Sequence, residues 1–222
     1  MRKNTNPYDY PFRRIYQTFI TSVVLMTGGW LLYSSIHDFN PFSLFPKTQS
    51  TAKIQPLVMK GGDPYIRALM RTITASEANV SKPYHVLYGG QYVSNLDQHP
   101  DICIRIVTGP NQGNCTTAAG RYQFLNTTWA SKAKRYHPNS SGLFWWKSYS
   151  FEPEYQDKVV YRWLSDPKAW GVNISQLLQA GKIEEVLRLL SGTWTSLGYG
   201  IETNSMSSHL PKIYQQMLQE EL

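Results

Sequence analysis

Apolar residues recur at helical spacing from residue 63 onward. Ile66, Leu69, Met70 and Ile73 form one stripe, Asp63 ahead of it is a good N-cap, and Pro64 suits the first helical position. Glu77 lies on the same stripe, one turn beyond Ile73. Residues 86–93 are rich in strand formers around Gly89-Gly90, a hairpin signal that predicts a small sheet beside the first helix. Residues 126–136 open with a capping residue and continue with helix formers, and residues 152–164 carry Tyr155, Val159, Val160, Trp163 and Leu164 at helical spacing. Asn173 or Ser175 can cap a short helix through Ala180, and residues 182–190 predict another. Residues 209–222 place Leu210, Ile213, Tyr214, Met217 and Leu218 on one face. The fold class is therefore α+β: a mainly helical domain over residues 63–222 with a minor antiparallel hairpin sheet.

The N-terminal part follows a different pattern. Residues 1–14 hold Arg2, Lys3, Arg13 and Arg14, and residues 15–36 carry no charge. A helix of that length, at about 1.5 Å per residue, covers the roughly 30 Å hydrocarbon core of a bilayer. The charge asymmetry keeps residues 1–14 in the cytoplasm and sends the domain across the inner membrane to the periplasmic or wall side. A cleaved signal peptide is the alternative, since Gly28-Gly29 interrupts the apolar run; no Ala-x-Ala site follows Leu32. Residues 37–62 mix Pro41, Pro46 and Pro56 with polar residues and show no period, the pattern of an extended tether.

Charge changes little in this picture. The chain of 222 residues carries +7, but residues 1–60 hold seven Lys/Arg against two Asp/Glu, and residues 61–222 hold fifteen against thirteen. The domain lacks the clustered basic face of a nucleic-acid binder. Cys103 and Cys115 flank a loop containing Gly109-Pro110-Asn111. Outside the cytoplasm such a pair is most simply a disulfide; free thiols, or a zinc site with His85 and His99, are the other readings.

The chemistry centres on Glu77. An acid on an apolar helical stripe is partly desolvated, which favours its protonated form and suits it to give a proton to a leaving oxygen. A glutamate at a fraying helix end, bonded to nearby backbone, is the plainer reading of the same position. Trp129 and Trp163 lie on apolar stripes and read as core, Trp170 belongs with them as an aromatic that can face a sugar, and Trp145-Trp146 stay open between core and cleft. Arg121 can grip a carboxylate or form an internal salt bridge, and Glu184 and Glu185 read as a solvated helix face.

Taken in order, Ala75-Ser76-Glu77, His85-Val86-Leu87-Tyr88-Gly89-Gly90, His99-Pro100, Ala119-Gly120-Arg121-Tyr122-Gln123-Phe124-Leu125, Gln156-Asp157 and Trp194-Thr195-Ser196-Leu197 before Gly198-Tyr199-Gly200 resemble the lambda-type phage endolysins. These are lysozyme-like peptidoglycan lytic transglycosylases. Two departures stand out: Gln98 occupies the place of the family's acid before His-Pro, with Asp97 one position earlier, and the stretch before Gly198 is shorter.

The resemblance implies a monomeric, cofactor-free and metal-free enzyme acting on peptidoglycan glycan strands. Glu77 would be its catalytic residue, with Tyr122, Gln123, Gln156 and Tyr199 lining the cleft. The rival readings are a hydrolytic muramidase, with Asp97 as candidate second carboxylate, and a wall-binding module that does not cut.

Overall fold

The structure is a computed structural model that describes residues 53–109, 111–139, 148–199 and 206–222. The expected anchor at residues 15–36, the first part of the expected tether, Trp145-Trp146 and Gly200 lie outside the described residues. Among the described residues no helix is long and apolar enough to cross a membrane.

The central element is α1, Pro64–Glu77. Its start follows the local signals: Asp63 Oδ1 accepts from the Tyr65 N–H at 2.8 Å, and Pro64 occupies the first turn. Ile66, Leu69, Met70 and Ile73 are fully buried, each contributing about 2 kcal/mol of apolar burial. Thr72 and Thr74 are buried too, and their hydroxyls donate to the carbonyls one turn back, at 2.8 and 3.0 Å. The helix is thus buried from Ala68 to Ala75, and its two ends, Pro64, Tyr65 and Arg67 at the start and Ser76 and Glu77 at the finish, are partly open.

The other helices are α2 (Asn126–Tyr136), α3 (Pro153–Leu164), α4 (Pro167–Trp170), α5 (Ile174–Gln179), α6 (Ile183–Leu190) and α7 (Leu210–Glu221). Asn173 caps α5 by accepting from the Gln176 N–H; Ser175 instead donates to Asp63, linking α5 to the start of α1. The closing helix α7 packs along α1, and ion pairs from Arg67 and Arg71 to Glu221, at 2.5 and 3.1 Å, fix its end. Trp129 and Trp163 fill the core as their helical stripes predict, and Phe151, ahead of α3, fills it with them. Glu184 and Glu185 face solvent.

The sheet lies elsewhere than predicted. Its two strands are β1 (Ile104–Arg105) and β2 (Cys115–Thr116), antiparallel, with Ile104 opposite Thr116 and Arg105 opposite Cys115. Residues 86–93 make one bridge across the turn, Val86 to Tyr92, with Gly89 and Gly90 both at positive φ and the Leu87 and Val93 N–H groups donating to the Gln91 and His85 carbonyls. Leu87 also bridges Ala119 and the Tyr88 N–H donates to the Ala118 carbonyl, which draws the segment toward residues 118 and 119 in place of a regular hairpin ladder.

Residues 54–59, inside the stretch expected to be a tether, belong to the domain. The compact unit begins at Ala52, and residues 54–59 run along the domain with Leu57 and Met59 buried in its core. Their main chain is held by buried charged side chains, which compensates for the absence of any regular element there.

Candidate active site

The C-terminal turn of α1 opens into a cleft of about 710 Å³. Ser76 and Glu77 stand on one side, and Ile106, Thr108, Gly109 and Asn111 from the β1–β2 loop stand with Tyr88 on another. Gln123 to Leu125, Trp163 and Thr193 to Ser196 complete the wall. Glu77 is the sole acid among the described residues that line it.

Glu77 is half-buried, and one carboxylate oxygen accepts a short hydrogen bond from the Ser196 hydroxyl. Ser196 Oγ is also 3.2 Å from Ser76 Oγ, whose own hydroxyl donates to the Ile73 carbonyl at 3.0 Å. Ser196 sits in a single helical turn, Thr195–Leu197, which ends at Gly198 with φ of 93°. A Cβ on Gly198 would overlap Ser207, so only glycine lets this turn close beside the acid. The wall behind it is aromatic: Trp163 and Trp194 approach to 5.3 Å, and Trp194 Nε1 donates to the Tyr122 carbonyl at 3.1 Å.

Cys103 and Cys115 are joined in a disulfide with their Cα atoms 5.5 Å apart. The bond braces the base of the β1–β2 hairpin, whose loop forms one cleft wall. The zinc alternative and the free-thiol alternative both fall, because each cysteine is the other's partner.

The residues named from resemblance divide. Gln123 lines the cleft; it adopts a left-handed φ of 47°, and its amide donates to the Gly120 carbonyl at 2.9 Å. Tyr122 touches the wall, but its side chain is fully buried and its hydroxyl donates to Asp157 Oδ1 at 2.7 Å, so the phenol is turned away from any sugar. Burial, then the Asp157 charge, pushes that phenol well up and keeps it protonated.

Gln156 is a correction. It is fully buried, accepts from the Arg121 N–H at 2.9 Å and donates to the carbonyls of Tyr84 and Phe151 at 3.0 and 2.8 Å. Its amide is consumed in holding the turn over residues 120–123. Gly120, with φ of 74°, is required there because a Cβ would run into Gln156 and Phe151. Tyr199 is a second correction: it is exposed, packs under the Arg188 guanidinium at 4.8 Å, and does not line the cleft.

Asp97 lies in a separate cleft of about 560 Å³ with Tyr92, Gln98 and Ile102, so the fold does not bring it to Glu77. Arg121 makes no direct salt bridge among the described residues. It is fully buried and donates to Thr74, Tyr84 and the carbonyls of Gln55 and Pro56.

Sequence reasoning missed Ser196 and Trp194 as site residues. Both sit in the Trp194-Thr195-Ser196-Leu197 motif, but nothing local shows that this turn reaches a helix end well over a hundred residues earlier.

The family model described as Endolysin matches residues 66–220, more than half of the chain. Among solved structures, bacteriophage lambda lysozyme complexed with a chitohexasaccharide is similar at 22% identity, with a TM-score of 0.52, over 72% of this chain and 97% of that one. Lysozyme from bacteriophage lambda is similar at 21% identity, with a TM-score of 0.51, over 73% and 97%. The fold is accordingly lysozyme-like. No curated protein sequence matches the chain.

Proposed function

Because the chain belongs to the endolysin family, whose members are lysozyme-type enzymes that cleave peptidoglycan, we propose that this cleft cuts the β-1,4 bond between N-acetylmuramic acid and N-acetylglucosamine by lytic transglycosylation, with Glu77 as acid and then base. The observation that carries the mechanism is that Glu77 is the single acid among the described residues of the cleft. Hydrolysis by the usual route needs two carboxylates flanking one bond. Transglycosylation needs one.

Glu77, protonated, gives its proton to the glycosidic oxygen as the bond from that oxygen to the anomeric carbon breaks. The carboxylate so formed takes the proton of the sugar's own 6-hydroxyl as its oxygen bonds to the anomeric carbon. The 1,6-anhydro ring closes, no water is consumed, and the acid is regenerated. Ser196 supports the middle of this cycle, because its hydroxyl donates to the carboxylate in its charged form. Trp163 and Trp194, both buried, back the wall of the cleft, and the chitohexasaccharide bound to the lambda lysozyme supports a glycan-shaped groove.

Mass spectrometry of the products from purified sacculi tests this reading. The expected ends are 1,6-anhydro-N-acetylmuramic acid; dominant reducing muramic acid ends would refute it. The uncharged residues 15–36 and the basic residues before them support a further part of the proposal, a single inner-membrane anchor with the domain on the wall side. Full-length protein in the soluble cytoplasmic fraction, or a mature form beginning near His37, would contradict that part.

A further inference from the structure

Residues 54–59 precede the span matched by the family, which begins at residue 66, and form no helix or strand. Their main chain is nevertheless closely bound. The Ile54 carbonyl accepts from Arg71 at 3.1 Å, the Gln55 and Pro56 carbonyls accept from Arg121 at 2.6 and 2.9 Å, and the Met59 carbonyl accepts from Arg67 at 3.1 Å. In the opposite sense, the N–H groups of Val58 and Met59 donate to Asp157 Oδ2 at 2.8 and 3.1 Å. Three arginines and one aspartate thus recognise an extended peptide through its backbone.

The same charged groups also hold the cleft. Arg121 stands inside the turn that presents Gln123, and its Nε donates at 2.8 Å to Thr74 on α1, one turn before Glu77. Asp157 accepts from the Tyr122 hydroxyl of that turn and from the Tyr84 hydroxyl. Arg121 and Asp157 are both fully buried. Without residues 54–59, Arg121 loses its two carbonyl acceptors and Asp157 loses its two N–H donors. Buried charges stripped in this way draw in water or move, and the turn over residues 120–123 moves with them.

We propose that residues 54–59 are a docked strap that activates the enzyme in cis: its main chain satisfies Arg121 and Asp157, which act as positioning residues for the turn beside Glu77. The N-terminal segment is then part of the catalytic unit as well as a connection to the membrane. The activity readout of this proposal rests on the glycan-cleaving reading above; its docking readout does not.

The test uses the full chain. Val58→Pro removes one N–H that faces both Asp157 and the Tyr84 hydroxyl, while the Val58 side chain is 46% exposed, so little packing is lost. Misplacing a catalytic geometry by about 1 Å costs on the order of 10²-fold, so kcat should fall between about tenfold and 10²-fold with KM little changed. Far-UV circular dichroism should stay constant. The indole N–H resonance of Trp194, which reports the Tyr122 carbonyl, should shift. Val58→Ala keeps the N–H and should recover most of the lost turnover. Wild-type turnover in Val58→Pro with an unmoved Trp194 resonance would overturn the proposal.

Should Val58→Pro not fold, a specific protease site inserted directly after Gly61, which leaves that glycine at its φ of +67° in open space, allows the strap to be cut from the folded chain. Loss of activity on separation, restored saturably by a peptide of residues 53–61, supports the proposal. Activity that survives separation, or a loss the peptide does not reverse, overturns it. If the wild-type chain itself cuts no glycan, the glycan-cleaving reading fails, and the Trp194 resonance with peptide binding by fluorescence anisotropy decides docking alone.

Discussion

Replacing Glu77 by glutamine removes the transferable proton and almost nothing else. The amide keeps an oxygen where the Ser196 hydroxyl donates, and Glu77 is only half-buried, so the fold should lose less than about 1 kcal/mol. Positioned proton transfer contributes about 10²–10⁴ in rate, or about 3–5 kcal/mol at 1.36 kcal/mol per tenfold. In the single-acid cycle Glu77 serves twice, and no other acid among the described lining residues can substitute. The expected loss is therefore toward the upper end, on the order of 10⁴. Turbidity clearing of purified sacculi measures it, with a urea titration confirming that stability is unchanged. A purified variant within about tenfold of wild type, less than one positioned proton transfer supplies, would refute the assignment.

Two further predictions concern stability. Removing the disulfide by Cys103→Ser opens a loop with a sequence separation of 12, which on the chain-entropy model costs about 3 kcal/mol, measurable as a lower urea midpoint. Activity should fall with it, since the braced hairpin walls the cleft; an unchanged midpoint would contradict the bracing role. Acid should also weaken the fold. Burial, opposed by a hydrogen bond to a backbone carbonyl, lowers the pKa of His99 and of His137, and each ring accepts through Nδ1 from the N–H two residues on, at 3.1 and 3.0 Å. Groups with depressed folded values stabilise above the ordinary histidine value of about 6.5, and that contribution is lost as pH falls below it. Denaturation midpoints should therefore drop between about pH 7 and pH 5, in the window set by the unperturbed histidine value; a flat profile would refute the neutral, doubly bonded rings.

Helices were legible where their signals are local. The Asp63 cap, Pro64 and the stripe through Ile73 place α1; helix formers place α2 and the 3.6-residue period places α3 and α7, although none of these three starts at a side-chain cap and Asn126 is the first residue of α2. The sheet was not legible for the converse reason. Each strand has two residues, too short for a period, and a disulfide from Cys115 of β2 to Cys103, just ahead of β1, braces the pair. The Gly89-Gly90 turn was correctly read as a reversal, but its neighbours pair with residues 118 and 119, a partner no local pattern announces.

The site divides along the same line. Glu77 could be singled out because an acid on an apolar stripe is a local contradiction, whereas Ser196 is an ordinary hydroxyl until the fold brings it to that acid. Tyr122 and Gln156 come from a motif shared with the family, yet their polar atoms are spent on Asp157, Arg121 and backbone rather than on the cleft. Residues 54–59 carry the argument furthest: a segment recognised by its carbonyls and N–H groups needs no side-chain pattern, so a proline-containing stretch without period can be a tether or a wall of the domain with the same composition. What distinguishes the two is the buried Arg121 and Asp157 waiting elsewhere in the chain, each of which needs backbone partners that the rest of the domain does not supply.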